Sequence, residues 1–284
     1  MRLLAIAAAV LVAANAHADY PDREVDRPIV LPPGLSEAGA SGEYARATRG
    51  FDADARTDAL GDGGIESAVT TTALARYGVF QGLEVWVRAP YVLRLGVRGD
   101  DRPLSGTGRA AFGARYERSP RPLTYVAASA GIVLPSTSRA LRTHPDGTLH
   151  RDHLAVSGAA SFKQVLLDQT AAWGSAEIVF PFANEDDDLA ERDPPATFRF
   201  AAGSLFQIDD RFHASAGASF TRTNRDRIAG GIVPRSDQFR IDLLPEVGLQ
   251  LHRQIDVALG AALPVSGKNT PQSYLFTGTA RVRF

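Results

Sequence analysis

The feature that most restricts the fold of this chain is an alternation of apolar and polar residues that recurs along it. Between Leu83 and Ala89 each odd-numbered residue is apolar, and the residues between them include Glu84 and Arg88. Because successive side chains of a β-strand point to opposite faces, such a segment has one apolar and one polar face. Similar alternation occurs near 198–208, 212–221, 239–251, 255–263 and 274–284.

Weaker alternation, richer in Ala, Gly, Ser and Thr, predicts more strands. These segments lie near 37–48, 64–77, 107–118, 122–135, 152–166 and 170–183. Together the segments predict about twelve strands, an even number, as expected for a bacterial single-chain barrel.

The predicted connections also alternate, between short and long. Short turns are expected near 78–82, 119–121, 167–169, 209–210 and 252–254. Longer polar loops are expected near 49–63, 96–106, 136–151, 184–196, 224–237 and 264–272. Short periplasmic turns and longer external loops are typical of outer-membrane barrels. We therefore predict an all-β fold, a closed antiparallel up-and-down transmembrane barrel formed by residues 37–284, with both chain ends in the periplasm.

The N-terminal residues predict export. Arg2 precedes a short apolar run, and Ala16-His17-Ala18 matches a cleavage site, so residues 1–18 are interpreted as a signal peptide. Residues 19–36 contain four prolines and are interpreted as a periplasmic linker. The predicted location is the cell outer membrane of a Gram-negative bacterium.

Composition excludes several classes of function. The chain has no cysteine, which excludes disulfides and thiolate metal sites, and its net charge of −1 argues against a nucleic-acid surface. Its longest uncharged stretch, residues 122–138, is shorter than the roughly 20 residues of a membrane-spanning helix. If the chain spans a membrane, a closed barrel is the structure that satisfies its backbone hydrogen bonds.

The C-terminal residues help to separate a barrel from a periplasmic or secreted β-sandwich, whose strands also alternate. Phe284 ends the chain on an apolar face that also carries Val282, Ala280 and Phe276. This pattern resembles the signal by which the barrel-assembly machinery recognises outer-membrane proteins. We therefore predict Phe284 as an assembly signal, and outer-membrane lipid as the partner of the apolar faces.

Charged residues on the polar faces are candidates for lining the lumen. They could select solutes in a water-filled path, or they could pair across strands and fill a narrow interior, and for any single residue we favour pairing. The candidates are Glu84, Arg88, Arg109, Arg115, Glu177, Arg199, Arg211, His213, Arg240, Asp242 and Glu246.

No catalytic, cofactor or metal site is predicted. The acidic loop 184–193 lacks the spacing of a calcium loop, and His150 and His153 have no evident third metal ligand. His213 and Ser215 share a strand face, but no orienting partner for a hydrolase is recognisable. Gly61–Gly64 precedes a predicted strand rather than the helix of a phosphate-binding loop.

Several short motifs resemble a family of outer-membrane β-barrel transporters linked to phenol-degradation (meta-pathway) proteins. The motifs are Arg27–Gly34, Leu74–Val85, Ser105–Gly108 and Gly131–Ser136, whereas Arg109 stands where the family often has Asp. The resemblance implies passage of small, often apolar, molecules.

We therefore predict an outer-membrane channel for small molecules, including apolar or aromatic ones, acting by passive binding and diffusion without a cofactor. A non-conducting structural or adhesive barrel with partner-binding loops is the alternative. An outer-membrane hydrolase is the third possibility.

Overall fold

Twelve long antiparallel strands form a closed barrel. A computed structural model describes residues 20–60, 64–136, 153–182, 192–193, 195–225, 227–228, 231–233 and 236–284. The first six strands are β1 (Ser36–Phe51), β2 (Ile65–Phe80), β3 (Leu83–Val97), β4 (Ala111–Arg121), β5 (Thr124–Val133) and β6 (Ala155–Leu167). The last six are β7 (Thr170–Pro181), β8 (Thr197–Gln207), β9 (Phe212–Thr223), β10 (Gln238–His252), β11 (Ile255–Lys268) and β12 (Thr270–Arg283).

Each long strand pairs with its neighbours in chain order, and β12 pairs with β1 to close the sheet. The closing ladder runs from Glu37 opposite Arg283 to Phe51 opposite Thr270. Phe284 and Ser36 extend it, each donating its backbone N–H to the other's carbonyl oxygen at 3.0 and 2.9 Å. The predicted closed up-and-down barrel is confirmed. No helix among the described residues has the length and apolar character needed to cross a membrane.

The barrel is apolar outside and polar inside, the reverse of a soluble protein. Large apolar side chains such as Val85, Phe112 and Phe276 lie exposed on the outer face. Glu37 and Glu84, at 1% and 0% exposure, are among the most completely buried side chains of the described chain. The period-two alternation produces this arrangement, because one face of every strand points into the lumen.

All five predicted short turns lie at one end of the barrel, together with the start of β1 and the end of β12. We call this the short-turn end, and the opposite end the loop end. The second turn lies at 122–123 rather than at 119–121, because β4 continues to Arg121. Gly82 in the first turn and Leu123 in the second have positive φ angles of 77° and 60°.

The long loop predicted at 264–272 is wrong. β11 continues to Lys268 and β12 begins at Thr270, so a tight turn at Asn269, with φ of 51°, joins them. Pro264 and Pro271 both lie next to register shifts, where a residue without an N–H is tolerated in a ladder. Asn269 supplies the positive φ that the turn requires.

Other predicted loops are partly ordered as strands. Thr57–Ala59 pairs with β1, and Asp100–Thr107 pairs with β3, so both hairpins extend beyond the barrel wall. Arg192–Asp193, Arg227–Ile228 and Gly231–Ile232 form a small separate sheet. Most of the predicted loops at 136–151 and 184–196 lie outside the described residues.

Candidate functional site

Two cavities lie along the inner wall in the described part of the chain, and each is lined by one of the chain's two tryptophans. The Trp86 cavity, of about 550 Å³, is lined by residues of β1 to β7 and β12, including Arg88, Arg115 and Glu177. The Trp173 cavity, of about 440 Å³, is lined by Glu24 and by residues of β6 to β12, including Arg199, His213 and Glu246. Since both linings combine strands from opposite sides of the sheet, both cavities lie in the lumen.

Other predicted lumen residues do not line these two cavities. Glu84 and Asp242 are buried on the inner wall, and Arg240 donates to Asp242 at 2.9 Å. Arg109 precedes β4 and donates from Nη2 to the backbone oxygen of His153 at 2.8 Å.

Arg211 is not placed on the lumen wall. It is an exposed residue of the turn before β9, which begins at Phe212. Asp209 Oδ1 accepts the backbone N–H groups of Arg211 and Phe212 at 2.8 and 2.7 Å. This side-chain cap holds Arg211 in the turn, and neither of the two cavities described above is lined by it, so a role for Arg211 in the lumen stays a prediction.

Buried charges at the short-turn end form one continuous ladder of ion pairs. Glu84 Oε1 accepts a hydrogen bond from Arg115 Nη1 at 2.9 Å, and Arg76 Nη1 lies 3.6 Å from Glu84 Oε2. Arg76 also contacts Glu37 at 2.8 Å, and Glu37 in turn accepts Arg283 Nε at 3.0 Å. The ladder crosses β4, β3, β2, β1 and β12, so it bridges the seam at which the barrel closes.

Arg27 joins this ladder to the N-terminal segment, residues 20–35. Asp256, on β11, accepts both Arg283 and Arg27, the latter at 2.8 Å. Arg27 also pairs with Glu24. Each buried charge in this series therefore has an oppositely charged neighbour, which offsets the cost of removing it from water.

The N-terminal segment is docked inside the barrel, which corrects the expectation of a linker over residues 19–36. Val25 and Leu31 are 0% and 1% exposed, and Arg27 is 3% exposed. Val25 packs against Ala171 and Leu205 of the inner wall. A proline-rich segment without alternation cannot join the sheet, so its backbone needs hydrogen-bond partners of another kind.

Side chains of the wall supply those partners. Glu117 Oε2 accepts the N–H groups of Ile29 and Val30 at 2.6 and 3.0 Å, and Glu84 Oε2 accepts that of Leu31 at 3.0 Å. On other strands, Gln207 Oε1 accepts Val25 N–H at 3.2 Å, Lys163 Nζ donates to the carbonyl oxygens of Glu24 and Arg27 at 2.5 and 2.9 Å, and Tyr125 Oη donates to that of Asp26 at 3.4 Å. The segment thus crosses the lumen from β3 and β4 to β8 and β11.

The pKa values of two side chains of the segment, Tyr20 and Glu24, are shifted strongly from their ordinary values. Burial, and then the charge of Glu24, raise the pKa of Tyr20 to about 12, and the Tyr20 ring lies 4.9 Å from the Arg283 guanidinium. Burial opposes ionisation of Glu24, but Arg27, Arg281 and Lys163 outweigh it and lower the Glu24 pKa to about 2. Glu24 is therefore ionised at neutral pH and holds the segment electrostatically.

Gly78 lets the segment pass closely over β2. A Cβ atom at this position would lie 1.9 Å from the carbonyl oxygen of Pro32. Gly34 N–H donates to the Gly78 oxygen at 2.8 Å, and Gly78 N–H donates to the Leu35 oxygen at 2.9 Å. A larger residue would force the segment away from the wall.

The two tryptophans occupy equivalent positions, and neither was singled out from the sequence. Trp86 lies opposite Gly113, which lies opposite Gly131, and a Cβ on either glycine would come within 2.8 Å of the ring. Trp173 is related in the same way to Gly203 and Gly217, with ring distances of 2.8 and 2.7 Å. The glycines leave room for each ring to lie against the wall. The signal available in the sequence was an inward-facing Trp with a glycine at the matched position of each of the next two strands.

Catalytic and metal-binding arrangements were sought in the same region. His213 and Ser215 both line the Trp173 cavity, and in the described part of the chain no carboxylate is hydrogen-bonded to the His213 ring. The described residues contain no group of three His, Asp or Glu side chains that could hold a metal ion. His150 and residues 184–191 lie outside the described residues.

Solved structures of known proteins resemble this barrel. The COG4313 outer membrane channel from Pseudomonas putida F1 superposes with a TM-score of 0.75, over 90% of this chain and 97% of that one, at 13% sequence identity. The NanC porin superposes with a TM-score of 0.54, over 86% and 98% of the two chains, at 8% identity. The shared feature is the barrel fold. Neither a protein-family model nor a curated protein sequence matches the chain, so membership of the phenol-pathway family stays a prediction.

Proposed function

We propose that this protein is an outer-membrane channel for small molecules whose N-terminal segment closes the short-turn end of the lumen. The observation that carries the proposal is a closed twelve-stranded barrel with an apolar outer face and two polar cavities inside. The fold shared with an outer membrane channel and a porin supports it.

The outer face supports insertion in a bilayer. Phe200, Leu259 and Phe276 are 52%, 67% and 51% exposed, on strands distributed around the barrel. Water would penalise so much exposed apolar surface, whereas lipid would cover it. The strands contain 10 to 16 residues, and about 9–11 tilted residues cross the hydrocarbon layer.

Sidedness follows from the connections. Outer-membrane barrels have short periplasmic turns, so the short-turn end would face the periplasm and the longer loops the exterior. The signal peptide at residues 1–18 and recognition of Phe284 by the assembly machinery are parts of this proposal. Outer-membrane lipid and a small-molecule solute would be the protein's partners.

The docked segment favours a channel that conducts poorly at rest. It also favours the second candidate function, a structural barrel that never conducts. The two functions differ in what happens when the segment is removed, because only a channel has a continuous polar path behind it.

Two measurements test the proposed function. Mature protein should fractionate with the outer membrane and migrate faster on SDS gels before boiling than after it, because a closed hydrogen-bonded barrel resists the detergent. Purified protein in planar bilayers should give low or intermittent current. Membrane insertion would be overturned if the protein were recovered in soluble form and boiling did not change its gel mobility. The structural barrel would be favoured if a variant without residues 20–35 folded but passed no current.

A further inference from the structure

The Trp86 cavity differs from the Trp173 cavity in its balance of charge. Its lining includes four arginines, Arg76, Arg88, Arg115 and Arg281, and two glutamates, Glu37 and Glu177. The Trp173 cavity has two carboxylates, Glu24 and Glu246, against Lys163 and Arg199. Because charges are only weakly screened in a narrow space surrounded by protein, the Trp86 cavity is the one that favours an anion.

The cationic excess is available to a ligand. Arg76 and Arg115 are held by Glu37 and Glu84 in the ion-pair ladder. Arg88 and Arg281 make no ion pair within the described residues, although the charge of Arg281 also acts on Glu24. Glu177 lies on β7, six strands from β1 and hence on the opposite wall.

Arg88 and Arg281 lie in one row of the inner wall, three strands apart. Leu74 lies opposite Arg88, Gly39 lies opposite Leu74, and Arg281 lies opposite Gly39, so all four residues form one row across β3, β2, β1 and β12. With roughly 4.8 Å between neighbouring strands, the two arginine Cα atoms are about 14 Å apart along the wall. Gly39 makes room for the Arg281 side chain, because a Cβ on Gly39 would lie 3.3 Å from Arg281 Cγ.

An apolar surface lies beside this pair of arginines. Trp86 precedes Arg88 by two residues on the same face of β3, and its ring packs on Gly113 and Gly131, which leaves the other side of the ring towards the cavity. Leu74 adds a second apolar group. The facing wall carries small hydroxyl side chains, including Ser129, Ser157 and Ser175, which leave room for a ligand.

We propose that the Trp86 cavity binds small aromatic carboxylates, with the carboxylate between Arg88 and Arg281 and the ring against Trp86. Guanidinium groups form charge-assisted hydrogen bonds with carboxylates, and an indole ring stacks with another aromatic ring. A volume of about 550 Å³ lies within the range of small-molecule sites and accommodates a single-ring acid. The inference deepens the proposed channel function by naming a substrate class, and it rests on that function for the route by which the ligand enters.

Fluorescence can test each cavity separately, because the chain has only two tryptophans, one in each. Trp173→Phe leaves emission from Trp86 alone, and Trp86→Phe leaves emission from Trp173 alone. Folded full-length mature protein in detergent would be titrated with sodium benzoate, and with benzyl alcohol as an uncharged analogue, at constant ionic strength.

We expect a saturable benzoate response in Trp173→Phe and none in Trp86→Phe. Arg88→Gln and Arg281→Gln should each weaken benzoate binding about tenfold, as expected for the loss of a charge-assisted hydrogen bond. Arg211→Gln, which removes the same charge from an exposed turn, should leave binding unchanged. Benzyl alcohol should bind at least about tenfold more weakly than benzoate for the same reason.

Equal benzoate responses from both tryptophans, or binding unaffected by both cavity arginine variants, would overturn this site. The unboiled gel mobility of every variant shows whether it is folded, so a loss of response in a folded variant counts as loss of binding. Binding is measured without any current. A folded barrel that conducts but binds no benzoate therefore refutes the site alone, whereas one that binds benzoate but never conducts refutes the channel alone.

Discussion

Charged side chains at the short-turn end of the lumen are buried and paired, whereas some of those further from that end are exposed and unpaired within the described residues. At the short-turn end Glu37, Glu84 and Arg283 are almost fully buried, and each has an ion-pair partner. Further from that end Arg88 and Arg199 are exposed to the interior and make no ion pair within the described residues. In the first region the charges pair with one another and stabilise the barrel. In the second region the charges of Arg88 and Arg199 are not offset by an ion pair within the described residues.

This contrast shows that one polar pattern can serve both of the roles that we considered for the lumen residues. For Glu84 and Arg115 the structure shows pairing across strands, whereas Asp242 pairs with Arg240 on its own strand. For Arg88 and Arg199 the described residues show no ion pair, although pairing was the interpretation that we favoured for any single residue, and solute selection is the alternative that the experiments below test. The neighbours of each residue decide its role, and the alternation alone does not distinguish them.

The largest expected effect is that of removing the closure. Deletion of residues 20–35 should raise single-channel conductance roughly tenfold, because the narrowest section of a pore limits its current. Planar-bilayer recordings would measure the change, with unboiled gel mobility as the folding control. An unchanged conductance in the folded variant would show that the segment does not close the lumen.

A smaller opening is expected from Gly78→Val. The new Cβ would meet the Pro32 carbonyl oxygen at 1.9 Å and push the segment off β2 while the rest of it remains held. More frequent openings, rather than a fully open pore, should appear in recordings. Gly42→Val, on the adjacent strand β1, is the matched control, since no atom lies within 4 Å of a Cβ there. Equal behaviour of the two variants would contradict the proposed contact.

Acid should loosen the closure through Glu24. Its folded-state pKa of about 2 lies below its ordinary value of 4.5, so the stabilisation it gives is complete above pH 4.5 and is lost as pH falls towards 2. Openings should therefore become more frequent between pH 4.5 and pH 2. Glu24→Gln should open more often at neutral pH and lose most of this dependence. A variant as pH-dependent as the wild type would assign the effect to other carboxylates.

A selectivity change is expected from the free arginines. In the variant that lacks residues 20–35, replacing both Arg88 and Arg199 with Ala should shift ion preference about twofold or more towards cations, because positive groups in a narrow path repel cations. Reversal potentials in a salt gradient would measure the shift. Arg118→Ala, on an exposed position of β4, provides the control. No change in reversal potential would mean that these arginines do not face the conducting path.

The smallest effect on current is expected at the outer face of the short-turn end. Phe284→Asp should lower the amount of protein assembled in the outer membrane, yet leave the conductance of inserted molecules unchanged. A charge near the interface costs only about 0–1 kcal/mol in a finished barrel, so a strong defect has to arise during assembly. Quantified outer-membrane levels test this, and wild-type levels of the Asp variant would contradict the assembly role.

The strands and short turns could be predicted because period-two alternation is a local property of the sequence. The long loop predicted at 264–272 is wrong because this polar stretch, with Pro264 and Pro271, is accommodated in the sheet by register shifts against the partner strands. Such shifts depend on the neighbouring strand and leave no local signal.

The docked segment could not be predicted for a related reason. Its backbone is held by Glu117, Lys163 and Gln207, which lie between 87 and 182 residues away from the groups that they contact. Nothing local in residues 20–35 distinguishes such a segment from a solvated linker. The inward orientation of Arg88, Arg199 and His213 followed from alternation, but their division between two cavities did not.

The same long-range contacts set the order in which the molecule can be completed. The segment needs acceptors and donors from β3, β4, β6, β8 and β11 at once, so it can dock only after nearly the whole barrel has formed. Contacts between residues so distant in sequence are slow to form, because the intervening chain must first be ordered. Although it precedes every strand in the chain, the segment is therefore expected to be the last part to fold. If the segment closes the lumen as proposed, the closure would therefore form last.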